Sequence, residues 1–334
     1  MLLVGSLVSV VLGPVLLAIA LVTDLITKTK GLRRSRTVAL ISTLFLIDLM
    51  GKLLVTGAWI ISPFGLGVQR RASQARYRWI MTFWTTTLFR TISRFVPLSV
   101  DLGELDESLL SGNTIIIGRH RSSLDAILPS VLFGNRGLKV LYTLKQDLQR
   151  EPNIDIVGQR MGHVFVDRNP TDLDAVLEPI RELGGKVDDK TVAVIFPEGT
   201  FFSPKRKQRA IRALQERDPA HVSAAMGMQY LLPPRPAGTL ALLEGAPHAD
   251  VVVLGHVGFE PFGTIKQTLA RIGDHHQVVI RAWRYARNTI PTDPAAQIDW
   301  LYERWTEMDE WIVGQHVVST ARTPTGTPIA QGGS

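Results

Sequence analysis

The chain has 334 residues, 45% of them hydrophobic and 20% charged, with 37 Lys and Arg against 30 Asp and Glu for a formal net charge of +7. That length supports one large domain or two ordinary ones, and the apolar fraction argues against disorder. The absence of cysteine excludes a disulfide scaffold, a cysteine nucleophile and a thiolate metal site, while leaving the redox compartment undecided.

The first segment, Met1 to Thr23, has no charged side chain, and at about 1.5 Å per helical residue it reaches across a hydrocarbon core of about 30 Å. It reads as a membrane helix. A cleaved signal peptide is the alternative, because Ala18-Ile19-Ala20 resembles a cleavage site, although no basic n-region precedes it. A short basic linker holding Lys28, Lys30, Arg33, Arg34 and Arg36 leads to a second apolar stretch, Val38 to Val68, interrupted only by Asp48 and Lys52. These two are four apart on a helix and can pair, which softens the cost of charge at membrane depth. Arg70, Arg71, Arg76 and Arg78 come next, so two spanning helices would give the positive-inside rule contradictory votes. A hairpin that enters and leaves one leaflet resolves this, making residues 1–68 a two-helix membrane anchor. The aromatic run Tyr77, Trp79, Phe83, Trp84, Phe89 and Phe95 fits an interfacial amphipathic helix over residues 69–96, or equally a core helix packed on the downstream domain.

From Pro97 the pattern becomes alternating strand and helix signals, giving an α/β domain over residues 97–318 with a mixed, largely buried sheet flanked by helices. Val- and Ile-rich strands are predicted at Asn113–Gly118, Lys139–Thr143, His163–Val166, Thr191–Phe196, Asp250–His256 and Gln277–Trp283. Helices are predicted near Ser122–Leu132, Thr171–Leu183 and Arg206–Arg217, with Gly or Pro at most joins. A last helix, Pro294 to Val317, places Ile298, Leu301, Trp305, Met308 and Ile312 on one face. Residues 319–334 are rich in Thr, Pro, Gly and Ser and read as a disordered tail.

Three segments could carry chemistry. In Thr114-Ile-Ile-Ile-Gly-Arg-His120-Arg-Ser-Ser-Leu-Asp125 a buried strand turns into a helix start, and the C-terminal edge of such a strand is where ligands bind in α/β sheets. Within one helix Asp125 would be rotated about 500° from His120. If His120 sits before the helix start, its ring can fold back and Asp125 can accept its N–H, leaving the other nitrogen to take a proton. Otherwise Ser122 or Ser123 caps the helix and His120 only decorates a loop. The second segment, Gly162-His-Val-Phe165-Val-Asp-Arg168, ends an apolar strand in an arginine. That arginine is either a phosphate fork or a surface partner of Asp172, and His163 reads as a strand residue. The third, Val192-Ala-Val-Ile-Phe196-Pro197-Glu198-Gly199-Thr200, stops a strand at Pro-Glu-Gly, holding Glu198 at the sheet edge as an acceptor, or as an incidental acid in a turn. Lys205, Arg206, Lys207, Arg209 and Arg212 beyond it form a basic helix start, either a solvated face or a grip on a polyanion.

Taken together, H-x4-D, G-x-x-F-x-x-R and F-P-E-G-T, at these intervals and behind an apolar N-terminus, resemble the glycerolipid acyltransferase family that includes the 1-acylglycerol-3-phosphate acyltransferases. The likeness covers roughly residues 110 to 320. Leu232-Pro-Pro-Arg-Pro-Ala-Gly238 and the helix Trp300 to Trp311 also look like the branch with lysocardiolipin and lysophosphatidylglycerol acyltransferases. One departure is Val253-Leu-Gly-His-Val-Gly258, which lacks the family's Val-Pro-Val-type strand and leaves the acyl-donor side open.

The resemblance implies that His120 is a general base, oriented by Asp125, for attack of a glycerol hydroxyl on an acyl thioester. It implies that Arg168 holds the acceptor phosphate, with Phe165, Glu198, Gly199 and Thr200 in the acceptor pocket. Backbone N–H groups at the helix start after His120 are candidate oxyanion donors. The donor would be acyl-CoA or acyl carrier protein and the acceptor lysophosphatidic acid or a lysophospholipid with a larger headgroup, with no metal or other cofactor. A non-catalytic lipid-binding protein on the same fold is the rival reading. A membrane location, with the catalytic domain on the cytosolic face of the cell or inner membrane, goes with this.

Asp24 to Arg94 holds twelve Lys or Arg against Asp24 and Asp48, so the whole positive excess lies there and the rest is slightly acidic. That distribution suits an anionic lipid surface and argues against nucleic acid as a partner.

Overall fold

A computed structural model describes residues 2–62, 71–103, 107–167 and 173–322. Two long apolar helices come first, α1 (Leu2–Ile26) and α2 (Arg33–Ile61), which lie against each other as a hairpin. Both are long and apolar enough to cross a membrane. The turn between them needs the left-handed backbone of Lys28, Gly31 and Leu32. Buried Asp24 fastens it by accepting from the backbone N–H and hydroxyl of Ser35, each at 2.8 Å.

The two helices differ in what covers them. Val11, Val15, Ile19, Val22 and Leu25 of α1 are exposed, whereas Leu40, Ile47, Val55 and Ala58 of α2 are buried against α1, against α3 (Arg71–Phe95) and against α5 (Pro152–Met161). The two charges within the apolar stretch of α2 face that side: Lys52 pairs with Asp48 and lies 3.7 Å from Glu151, and Asn153 of α5 donates to Asp48. Much of the basic linker is also tied down. Arg34 donates to Thr27 and Thr29, Arg33 to the carbonyl of Ala270 and Arg36 to the carbonyl of Phe95. In α3, Tyr77 and Ile80 are in the core, while Trp79 is 55% exposed with Phe83 stacked on it at 5.1 Å. Residues 63–68, the end of the second predicted apolar stretch, lie outside the described residues, as does Arg70.

The sheet has seven strands in the order β1-β7-β6-β2-β5-β3-β4: β1 (Leu98–Asp101), β2 (Thr114–Gly118), β3 (Lys139–Lys145), β4 (Val164–Val166), β5 (Thr191–Ile195), β6 (Asp250–Val257) and β7 (His276–Tyr285). All pairs are parallel except β6 with β7. Every residue of β2 and β5 is buried, because both faces are covered: Ile115 and Ile117 point to one apolar cluster, Ile116 to the other. One cluster includes Val157 of α5, Ile180 and Leu183 of α6 (Asp174–Gly184), and Leu301, Trp305, Met308 and Ile312 of α11 (Pro294–Arg322). The other takes in Leu124 and Leu128 of α4 (Ser123–Pro129) together with Leu40, Val96 and Phe262.

The six predicted strands and four predicted helices are present, with shifted ends. The helix from Ser122 is α4 followed by a π turn to Gly134, α7 starts at Pro204 and runs to Arg217, and α11 continues past Val317 to Arg322. Residues 319–322 of the expected tail are therefore helical, and 323–334 lie outside the described residues. Strand β1 was not predicted, being four residues of half-exposed edge. Helix α9 (Pro236–Gly245) was missed for the opposite reason: Thr239, Ala241, Leu242 and Leu243 are all buried, so it has no polar face to create a period. Helices α5, α8 (Val222–Gly227) and α10 (Ile265–Ala270) were also unforeseen.

Candidate active site

The C-terminal ends of β2 and β5 lie side by side in the middle of the sheet, with Ile117 opposite Ile195. The chain leaving β2 passes Arg119 and His120 before α4 begins, with Ser122 as N-cap. The serine hydroxyl accepts from the N–H groups of Leu124 and Asp125, and Asp125 Oδ2 reaches back to the N–H groups of Arg121 at 2.7 Å and Ser122 at 2.5 Å. This capping box fixes the first turn and leaves Asp125 Oδ1 free to take His120 Nδ1 at 2.9 Å. The expectation that His120 folds back over the helix start therefore describes the geometry found. The alternative, a cap at Ser122 and nothing more, is half right, since Ser122 caps the helix and the cap is what aims Asp125.

The imidazole of His120 stacks on Phe196 at 4.6 Å and meets the edge of Phe201 at 4.5 Å. Its side chain is 16% exposed, that of Asp125 1%. Burial opposes ionisation of Asp125, but hydrogen bonds and charge from His120 and His256 outweigh it and hold the carboxyl well below its ordinary range. It is thus an anion that keeps a proton on His120 Nδ1, and among the described residues no hydrogen bond occupies Nε2. Gly118 is needed for this packing, because a Cβ there would lie 2.7 Å from the Phe196 ring.

The structure changes the role expected of Glu198. Only 2% exposed, it is no open acceptor for a substrate hydroxyl. Oε1 accepts the N–H of His120 at 2.9 Å and Oε2 that of Leu232 at 3.0 Å. From the loop after β5 it clamps both the loop after β2 and the one that holds Leu232. Burial pushes its carboxyl up to about 7, against the pull of those N–H donors and of Arg119 and His120. Leu232 is held from its other side too, its carbonyl accepting the indole N–H of Trp305 at 3.0 Å, so the Leu232–Gly238 stretch and α11 brace the site together. Gly199 has a φ of +65° and lies at the cavity wall beside Arg235.

A second correction concerns the oxyanion donors. The N–H groups of Arg121, Ser122, Leu124 and Asp125 are already committed to the side chains of Asp125 and Ser122, which narrows the candidates at the helix start to Ser123, a residue of the cavity wall. Phe165 is a third: its ring sits against Gly158 of α5, and the cavity is lined instead by its neighbours Val166 and Asp167. Thr200 is partly exposed and does not line the cavity, whereas Gly199 and Phe201 do. Arg168 lies outside the described residues.

That cavity has a volume of about 760 Å³ and runs from His120, Phe196 and Gly199 between the sheet and the N-terminal helices. Leu40, Leu44 and Val55 of α2 and Trp84, Leu88 and Ile92 of α3 contribute to its wall. His163 lines it as well, and burial, with help from Lys139, pushes its imidazole down to about 3, so it stays neutral. In α7, Arg206 donates to the carbonyl of Phe201 and Lys207 to those of Met226 and Met228, and Lys205, Arg209 and Arg212 are exposed. Among the described residues no group of three or more His, Asp or Glu side chains is arranged to hold a metal ion.

Sequence reasoning gave no role to Arg119 and His256. Arg119 is buried and donates to Glu260 Oε1 at 2.8 Å and to the carbonyl of His256. His256 is 1% exposed, with Nε2 3.3 Å from Asp125 Oδ2. The signal available in the sequence was a histidine inside an otherwise apolar strand.

No curated protein matches the chain. Among solved structures, the chain is similar to the crystal structure of the 1-acyl-sn-glycerophosphate (LPA) acyltransferase PlsC from Thermotoga maritima, with 14% identity over 84% of this chain and 97% of that one and a TM-score of 0.48. Residues 100–235, the span that holds His120, Asp125, Glu198 and Gly199, match the family model described as Acyltransferase.

Proposed function

We propose that the protein is a membrane-bound O-acyltransferase that moves a fatty acyl group from an acyl thioester to the free hydroxyl of lysophosphatidic acid, making phosphatidic acid. The observation that carries this reading is the His120–Asp125 pair opening onto an apolar cavity, within a span that matches an acyltransferase model. The cavity volume falls in the range of small-molecule sites, and its apolar wall suits an acyl chain.

In the proposed step, His120 Nε2 takes the hydroxyl proton as the oxygen attacks the thioester carbonyl, while Asp125 steadies the imidazolium that forms. The C–S bond then breaks, and the proton passes from His120 to the departing thiolate, so coenzyme A or acyl carrier protein leaves as a thiol. No covalent acyl-enzyme is required. Arg168 is assigned to the acceptor phosphate and Gly199 to the wall beside it, and no metal or other cofactor takes part in the scheme. Helices α1 and α2 serve as the anchor, with the catalytic domain on the cytosolic face. The exposed apolar side of α1 and the exposed Lys28 and Lys30 at its turn support that placement.

The test is turnover of a panel of lysophospholipids by the purified protein with acyl-CoA and acyl carrier protein donors, beside the His120→Ala variant. Lysophosphatidic acid should be acylated fastest, and His120→Ala should lose about 100-fold or more. Faster turnover of a larger headgroup would move the assignment to that acceptor, and no turnover of any would favour a lipid-binding protein.

A further inference from the structure

Asp125 touches two imidazoles, one on each oxygen. His120 Nδ1 is 2.9 Å from Oδ1, and His256 Nε2 is 3.3 Å from Oδ2. His256 comes from β6, next to β2 in the sheet, where Gly118 pairs with Leu254. It is held by its surroundings: Phe259 meets its ring edge-on at 5.0 Å, and its carbonyl accepts from Arg119, whose guanidinium is paired with Glu260. Glu260 is itself fixed, Oε2 accepting the N–H of Gly258 at 2.7 Å. Among the described residues neither ring nitrogen of His256 has an aligned hydrogen-bond partner, and the approach of Nε2 to Asp125 Oδ2 is a charge contact at 3.3 Å. A buried polar group left in that state is costly, and Asp125 is placed to relieve that cost at Nε2.

We propose that His256 is a positioning residue for acyl transfer, which donates from Nε2 to Asp125 Oδ2 and so limits how strongly the carboxylate holds a proton on His120. The inference rests on the reading of His120 as the base. Its physical logic is one of charge. A buried carboxylate bonded only to His120 would direct all of its negative charge at that ring. Oδ2 already takes the N–H groups of Arg121 and Ser122, and His256 adds a third donor that draws density away from Oδ1. The direction holds whether the His256 ring is neutral with its proton on Nε2 or fully protonated, because either form withdraws negative charge from Asp125. The other charged groups facing the cluster are Arg119 and Arg121 from the β2–α4 turn, Glu198 from the loop after β5 and Glu260 from the turn after β6.

Two variants of the full-length protein in lipid nanodiscs test this. His256→Phe keeps the ring and removes the donor, and His256→Gln returns an amide N–H near the position of Nε2. In His256→Phe the acid limb of the kcat/KM profile should move up by about half to one pH unit, with kcat at pH 7 down by about 2- to 10-fold and acceptor KM unchanged. The loss should shrink as pH rises, and His256→Gln should recover to within about threefold of wild type. The low-field Nδ1–H resonance of His120 should also shift in His256→Phe, a readout independent of turnover. A His256→Phe enzyme with the wild-type profile and resonance, or a His256→Gln enzyme as impaired as His256→Phe, would overturn the role of His256 while leaving the base assignment intact. A wild-type protein that transfers no acyl group, yet whose resonance shifts in the variant, would overturn the acyltransferase reading and not the contact.

Discussion

The backbone N–H of His120 donates to Glu198 Oε1 at 2.9 Å, which couples the turn after β2 to the turn after β5. With Leu232 on Oε2, one carboxylate fixes three loops at the edge of the sheet. The side chain of His120 can therefore be aimed by Asp125 without also having to hold its own backbone in place.

Because burial pushes Glu198 up to about 7 from an ordinary 4.5, the folded protein binds a proton there that the unfolded chain has released. Glu198 thus contributes most to stability below about pH 4.5, and that contribution falls as pH rises through about 7. Glu198→Gln cannot titrate, so the stability of wild type minus that of the variant should drop between pH 5 and pH 8 by up to about 3 kcal/mol. Denaturant unfolding of both proteins at the two pH values measures it. A flat or rising difference would mean that the two N–H donors outweigh burial and that Glu198 is ionised throughout.

Asp125→Asn separates orientation from stability. The amide oxygen can still accept the N–H groups of Arg121 and Ser122, but its NH2 group then faces His120 Nδ1 and moves the ring proton to Nε2, where a base must be free. Turnover should fall by roughly 100- to 10,000-fold, with unfolding changed by only about 1–3 kcal/mol. Steady-state rates and unfolding curves on the same preparation check this. A loss of activity matched by loss of fold would show that Asp125 matters only as a cap.

How much of this was legible in the sequence depends on where each signal is local. The H-x4-D spacing and the serines within it contain the capping box, since cap chemistry is written within four residues. The apolar runs of β2 and β5 likewise announce buried strands. What could not be read is anything decided across the sheet. Glu198 reads as an open acceptor because Leu232, its second partner, is far away in the chain. The commitment of the N–H groups after His120 is by contrast local, and the capping box that takes them was there to be read. His256 reads as a departure from a family pattern until β6 is placed beside β2. The charge of α2 shows the same limit: the Asp48–Lys52 spacing predicts their pairing, but not that the pair faces Glu151 and Asn153.

The placement of α2 and α3 over the cavity gives the anchor a second consequence, because Leu44 contributes to its wall together with Leu40 and Ile92. If the acyl chain lies there, filling that space should shorten the chain that fits. Leu44→Trp adds volume into an existing void, which avoids most of the strain of overpacking a filled core. Each methylene denied burial forfeits about 0.8 kcal/mol, so excluding two lowers kcat/KM for the longest donors by about tenfold or more. Medium-chain donors should be unaffected, and the ratio of products from a mixture of donor lengths measures the shift. An equal loss at every length would indicate that the tryptophan only disturbs the packing of α2 on α3. An unchanged ratio would place the acyl chain outside this cavity.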